Sequence, residues 1–146
     1  MTPEQINDIR QAQSREELKL AGVGFLPELL GIEIISFSEW QVRGSLELRS
    51  ELFAPNGFVH AATQIALADT LCGYGAITNL PTGGESFTTI ELKANLIGTS
   101  KVGYLHCTAQ CIHHGRSTQV WDATVKDDAG RNTCLFRCTQ LILWPK

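Results

Sequence analysis

The spacing of apolar positions changes character along the chain, and each change predicts a different element. From Pro3 to Leu20 polar residues dominate, with Ile6, Ile9 and Ala12 as a thin apolar stripe. Thr2 as N-cap, Pro3 at the first helical position and Glu4 in the first turn predict one N-terminal helix lying on a surface. The segment "GVGFLPELLG" predicts a loop and a short helical turn ending at Gly31. In "IEIISFSEWQVRGSLELRS", Trp40, Val42, Gly44, Leu46 and Leu48 alternate with polar partners, the mark of a strand or hairpin. After the Pro55–Asn56–Gly57 turn, the stretch Phe58–Asn79 is rich in Ala, Leu and Gln, holds no Pro, and closes on "PTGG". It predicts a helix, and because it is apolar on nearly all sides, one buried in the middle of the protein. Beyond Gly84 the period is two. Thr88, Ile90, Leu92, Ala94 and Leu96 share one face, opposite Thr89, Glu91, Lys93 and Asn95. Leu105, Cys107, Ala109 and Cys111 repeat the pattern, as do the runs from Thr118 to Lys126 and from Thr133 to Trp144. Turns at Gly98, "HHGR" and "DDAGR" separate these strands.

The order is a strand or hairpin, one long apolar helix, then about four antiparallel strands, which makes the class α+β. The simplest packing wraps the sheet around the helix, since a flat sheet would leave an apolar helix half exposed.

Composition narrows the function. At 146 residues the chain fits a single domain, 1–146, with residues 1–30 as a helical extension. Apolar residues make up 43% and charged residues 18%, a globular balance. A net charge of -3 gives no polybasic footprint, which argues against a nucleic-acid partner. No apolar run reaches the roughly 18–20 residues of a membrane span, and the polar N-terminal segment lacks a signal-peptide core. Cytoplasmic residence is the resulting expectation. The five cysteines, Cys72, Cys107, Cys111, Cys134 and Cys138, are odd in number. The i, i+4 pairs lie roughly 13 Å apart along a strand, too far for a disulfide, and no CxxC marks a metal site. They read as small buried hydrophobes.

One charge stands out. Between Glu51 and Glu85 the chain has no Lys, Arg or Glu and a single Asp, Asp69. It lies on a helical stripe with Ala62, Ile65, Cys72 and Ala76, where an unpaired carboxylate is costly. Three readings compete: a carboxylate facing a surface groove, a structural acceptor for a donor such as Thr88, or a functional acid or base in a cleft. The helix start favours the third, because Gly57 to Ala62 offers free N–H groups beside small side chains, a site for an oxygen gaining negative charge. His60 lies nine residues before Asp69, about half a turn out of phase, so the two do not share a face of one helix. Structural and catalytic roles for His60 stay equally open.

These residues carry a resemblance. "NGFVHAATQIALADTLCGYG" is similar to the "GxxHGG…LAD" segment of hotdog-fold acyl-CoA thioesterases, in the PaaI-type branch, and the likeness runs from about Ile34 to Leu143. It implies a sheet of about five to six strands around the central helix, and a homodimer or homotetramer with active sites at the dimer interface. It implies Asp69 as general base or nucleophile, and the Ala61 N–H as the carbonyl-polarising donor within the Asn56, Gly57, His60 and Ala61 helix entry. It also implies Thr88 or Thr89 as a hydroxyl beside the attacking water, and "HHGRS", residues His114, Gly115, Arg116 and Ser117, as the CoA nucleotide contact. For that turn a plain hairpin with an exposed Arg is the equal alternative. The expected substrate is an aryl- or medium-chain acyl-CoA, with no cofactor beyond coenzyme A as part of the substrate. Two departures stand against the pattern: "HGG" is His60–Ala61–Ala62 here, and the polar residue that relatives often carry six positions before the His is Ala54. They motivate a rival reading as a non-catalytic acyl-CoA-binding module. Hydratase chemistry is the weaker third reading, because the His60–Asp69 spacing does not suit it.

Overall fold

The structure is a computed structural model that describes Glu4 and residues 9–146. Six strands form one antiparallel sheet: β1 (Ile32–Ser38), β2 (Gln41–Glu47), β3 (Ser86–Leu96), β4 (Tyr104–His114), β5 (Thr118–Lys126) and β6 (Asn132–Leu143). Their spatial order is β1-β2-β4-β5-β6-β3. Three helices accompany them among the described residues: α1 (Arg15–Ala21), α2 (Leu26–Leu30) and the long α3 (Ala61–Thr78). α3 is the crossover that carries the chain from β2 to the opposite edge of the sheet, where β3 adds beside β6.

The sheet curls around α3 as the period-two pattern requires. Val42, Leu46, Leu105, Ala109, Trp121, Val125 and Phe136 point inward and meet Leu67, Ala68, Leu71, Cys72 and Ala76 of the helix, all at most 3% exposed. Gly75 lets the two layers close: a Cβ there would collide with the ring of Trp121, which is fully buried. All five cysteines are free, four of them buried, as small core residues.

Three expectations need correction. The helix is shorter than Phe58–Asn79, because residues 58–60 are spent on a bridge between Val59 and Phe53 and on the His60 cap. It is also not enclosed on all sides: Ile65, Ala66, Asp69, Thr70 and Gly73 stay half-buried on the side the sheet does not reach. The N-terminal segment is not one surface helix. Glu4, Ile9 and Arg10 are helical, but the chain breaks before Ser14, whose hydroxyl accepts the Glu17 N–H at 3.2 Å while the Glu17 carboxylate accepts the Gln13 N–H at 2.6 Å. This reciprocal cap starts α1 afresh. Ile9 (6% exposed) and Leu18 (fully buried) then join the core. Thr2, Pro3 and Ile6, which the expected helix start invoked, lie outside the described residues.

The β3–β6 ladder shifts register between Thr89 and Glu91, leaving Ile90 as a bulge. A bulge adds one residue and reverses which side chains face inward. Phe87 and Thr89 point toward the helix before it, and Ala94 after it, while Thr88 and Ile90 are exposed.

Candidate active site

Asp69 stands two turns into α3, on the half-open side of the helix. Its Oδ1 is buried and has no hydrogen-bond partner among the described residues. Burial pushes its carboxyl above the usual carboxylate range, and the Thr89 hydroxyl, the second influence, draws it back down. A carboxylate held this way is a stronger base than a solvated one. Beside it opens a cavity of about 370 Å³ whose apolar wall includes Ile9, Pro27, Tyr74, Ile77 and Phe87.

The other half of the predicted site lies at the helix start. Gly57 turns the chain with φ 82°, a left-handed value that suits glycine. Asn56 Oδ1 accepts the Phe58 N–H at 3.1 Å, and His60 Nδ1 accepts the Ala62 N–H at 3.0 Å. Among residues 57–63 the remaining amides are also engaged: Gly57 with Ala54 O, Val59 with Thr99 Oγ1, His60 with Leu52 O and Thr63 with His60 O. Of these amides the Ala61 N–H alone has no partner among the described residues. It is the first residue of the helix and is exposed, so the positive end of α3 presents one free donor.

The sequence-predicted residues therefore fall into separate groups. Asn56, Gly57, His60 and Ala61 form the helix entry, where Asn56 and His60 spend a side-chain acceptor on shaping the turn. Asp69 meets Thr89, not Thr88, because the Ile90 bulge sets the inward parity. Within one chain Ala61 and Asp69 are eight residues apart on the helix, about 12 Å along its axis. The His114, Gly115, Arg116 and Ser117 turn lies toward the opposite end of the helix, near the Asn79 C-cap that Gln119 Nε2 bonds at 2.8 Å. There the His114 ring stacks on Trp40 at 4.0 Å, and Arg116 sits over Trp144 at 5.2 Å. Gly115 N donates to Thr118 O (2.8 Å) and closes the β4–β5 turn, while Ser117 O accepts from Ile142 N of β6 (2.8 Å).

One residue of the site was missed by sequence reasoning. Gln140 is fully buried, and its Oε1 accepts the Thr89 hydroxyl proton at 2.8 Å. The available signal was a polar side chain at an inward position of the last period-two run, between Cys138 and Ile142. Cys72 lies nearby, but burial raises its thiol well above its ordinary value, the wrong direction for a nucleophile. Among the described residues no group of three His, Cys, Asp or Glu side chains is placed to hold a metal ion.

The comparisons decide the family. The model of the thioesterase superfamily matches residues 56–134, from the Asn56 turn into β6. The chain belongs to the thioesterase superfamily. Its hotdog fold is that of a solved mutant of thioesterase PA1618 from Pseudomonas aeruginosa, with TM-score 0.86, 28% identity, and coverage of 92% of this chain and 96% of that one. The chain is 32% identical to the 1,4-dihydroxy-2-naphthoyl-CoA hydrolase of Listeria monocytogenes over 78% of its length and 92% of the relative's. It is also similar to SAV0944 of Staphylococcus aureus, with TM-score 0.76, 30% identity, and coverage of 80% of this chain and 96% of that one. That protein has been solved both with a glutamate replaced by alanine and with a glutamine fifteen residues earlier replaced by alanine. In this thioesterase the same spacing separates Ala54 from Asp69.

Proposed function

We propose that this thioesterase hydrolyses the thioester of an acyl-CoA, with Asp69 as general base on water. The observation that carries the reading is the Asp69 carboxylate: its buried Oδ1 without a partner among the described residues, its pKa raised by burial, and its place at the wall of an apolar cavity. The cavity takes the acyl group, and the Phe87 and Tyr74 rings that line it suit an aryl or medium-chain acyl moiety. The hydrolase named for Listeria monocytogenes, which acts on an aryl-CoA, supports the aryl class.

The free Ala61 N–H is the donor for the carbonyl oxygen as it gains charge. About 12 Å along one helix is too far for a single thioester to touch both groups, so the reading needs two copies of the chain. Asp69 of one copy works with the helix entry of the other. The half-open apolar face of α3 and the edge strand β3, with Ile90, Leu92 and Leu96 exposed, support such a dimer. Water attacks the carbonyl as its proton passes to Asp69, the tetrahedral oxyanion rests on the Ala61 N–H, and collapse expels the CoA thiolate, which takes that proton from Asp69 and restores the carboxylate.

Losing a positioned base costs about 10²–10⁴ in rate. A thiol-release assay across aryl- and fatty-acyl-CoAs should show that loss in Asp69→Ala with an unchanged circular dichroism spectrum. Wild-type turnover in Asp69→Ala refutes the assignment. Ala54 motivates a second reading, an acyl-CoA-binding module without turnover, because a glutamine at the matching spacing was the residue replaced in SAV0944. Under that reading acyl-CoA raises the melting temperature while no free CoA appears.

A further inference from the structure

Asp69, Thr89 and Gln140 come together from three elements, α3, β3 and β6, and the hydrogens among them do not suffice for every acceptor. A hydroxyl has one proton. Thr89 directs it to Gln140 Oε1 at 2.8 Å, while the Asp69 carboxyl, which the same hydroxyl also influences, keeps its buried Oδ1 without a donor among the described residues. The Gln140 amide is itself fixed: it is fully buried, and its Nε2 donates to Cys138 Sγ at 3.2 Å. The Thr89–Gln140 cross-strand pair sits immediately before the Ile90 bulge, which turns Thr89 inward.

We propose that Gln140 is a positioning residue for Asp69: its amide oxygen competes with the Asp69 carboxylate for the single proton of the Thr89 hydroxyl. By winning that competition Gln140 leaves the carboxylate under-solvated and basic. Without it Thr89 turns its proton onto Asp69, stabilises the ionised form, and weakens the base.

The rest of the surroundings cannot produce this effect. Among the described residues the titratable neighbours of Asp69 are Cys72 and Tyr74 on its own helix, and Cys138 of β6 stands behind Cys72. β3 supplies Ser86 and Phe87 besides Thr89, and the N-terminal elements supply Ile9 and Pro27. No charged side chain among the described residues acts on Asp69.

The proposal rests on Asp69 being the base assigned above, so its test reads the carboxyl directly as well as through turnover. In full-length protein labelled with 13Cγ-aspartate, the Asp69 resonance is assigned by its loss in Asp69→Asn and followed through a pH titration. Gln140→Leu should lower the Asp69 midpoint by about one pH unit, the size of one hydrogen bond to a carboxylate. The acid limb of kcat/KM should move down with it. In a Thr89→Val background Gln140→Leu should produce no shift, and Thr89→Ser should preserve it. If Gln140→Leu fails to fold, Gln140→Met, unbranched and without an amide, takes its place. An unmoved midpoint overturns the proposal, as does an equal shift in the Thr89→Val background. An upward shift also overturns it, because it means that the amide donates to Thr89. If the midpoint falls as expected but no thioester is hydrolysed, the competition stands and the catalytic reading fails.

Discussion

Asp69 is costly to keep. Its folded-state pKa is raised by burial, so the favourable contribution belongs to the protonated form: stability is greatest below the ordinary carboxylate pKa of 3.8 and falls as pH rises through the raised value. Above that raised value the protein carries an ionised group that it solvates only in part. Asp69→Asn, which keeps the shape and removes the charge, should therefore raise the melting temperature at pH 7 while turnover collapses. The gain should fade as the pH is brought below the ordinary carboxylate value of 3.8, where both proteins are neutral at this position. A set of calorimetric scans across that range checks the sign. A melting temperature at pH 7 that drops in Asp69→Asn would mean that the carboxylate is held by a partner after all. The same residue shows how far sequence carried the site. A lone carboxylate in a charge-free helix was visible without coordinates, whereas its under-solvation by a Thr–Gln pair depended on a strand register.

At the scale of elements, the two ends of α3 show what was legible and what was not. The helix, its apolar character and its entry turn follow from composition and from Asn56–Gly57. Its first residues did not, because Val59 is drawn into a bridge with Phe53, a long-range pairing that local propensity does not register. The face of β3 was misjudged for a related reason. A bulge leaves composition unchanged while reversing parity, so Thr88 and Thr89 exchange places. The break before α1 was in principle readable as Ser14 followed three residues later by Glu17. The helix entry also offers a clean deletion of one hydrogen-bond donor. Ala61 is the first helical residue, where Pro is tolerated, and His60 before it already has φ -61° and ψ 136°, the region a following Pro requires. Ala61→Pro should keep the melting temperature within a degree or two and cost about 10²–10³ in kcat, the loss seen when one oxyanion donor is removed. Steady-state kinetics alongside a thermal melt separate this from misfolding. An Ala61→Pro variant that is folded and fully active would remove the Ala61 N–H from the mechanism.

At the scale of the whole molecule the curved sheet covers only part of its helix. The half-buried side of α3 carries Ile65, Ala66, Thr70 and Gly73 around Asp69, and β3 is an edge strand of the sheet. In the proposed dimer two such chains cover each other and complete both sites at once. This arrangement predicts complementation between two inactive variants. When Asp69→Ala and Ala61→Pro chains are coexpressed and pair at random, half the dimers are mixed, and each mixed dimer has one intact site. Activity should recover to about a quarter of wild type. Separately purified variants should show none of it. If both groups acted within one chain, coexpression would restore nothing.

Under the proposed mechanism, the distance between Ala61 and Asp69 along one helix would also make the concentration of the protein a control on its own chemistry. On the proposed reading, in which a complete site takes two copies, the rate should rise with the square of chain concentration below the dimer dissociation constant and linearly above it. A dilution series of initial rates at saturating substrate, read beside sedimentation velocity, should show the two changes at the same concentration. In a cell the consequence is a threshold: a modest fall in expression near that constant would silence hydrolysis more than proportionally, with no inhibitor and no modification.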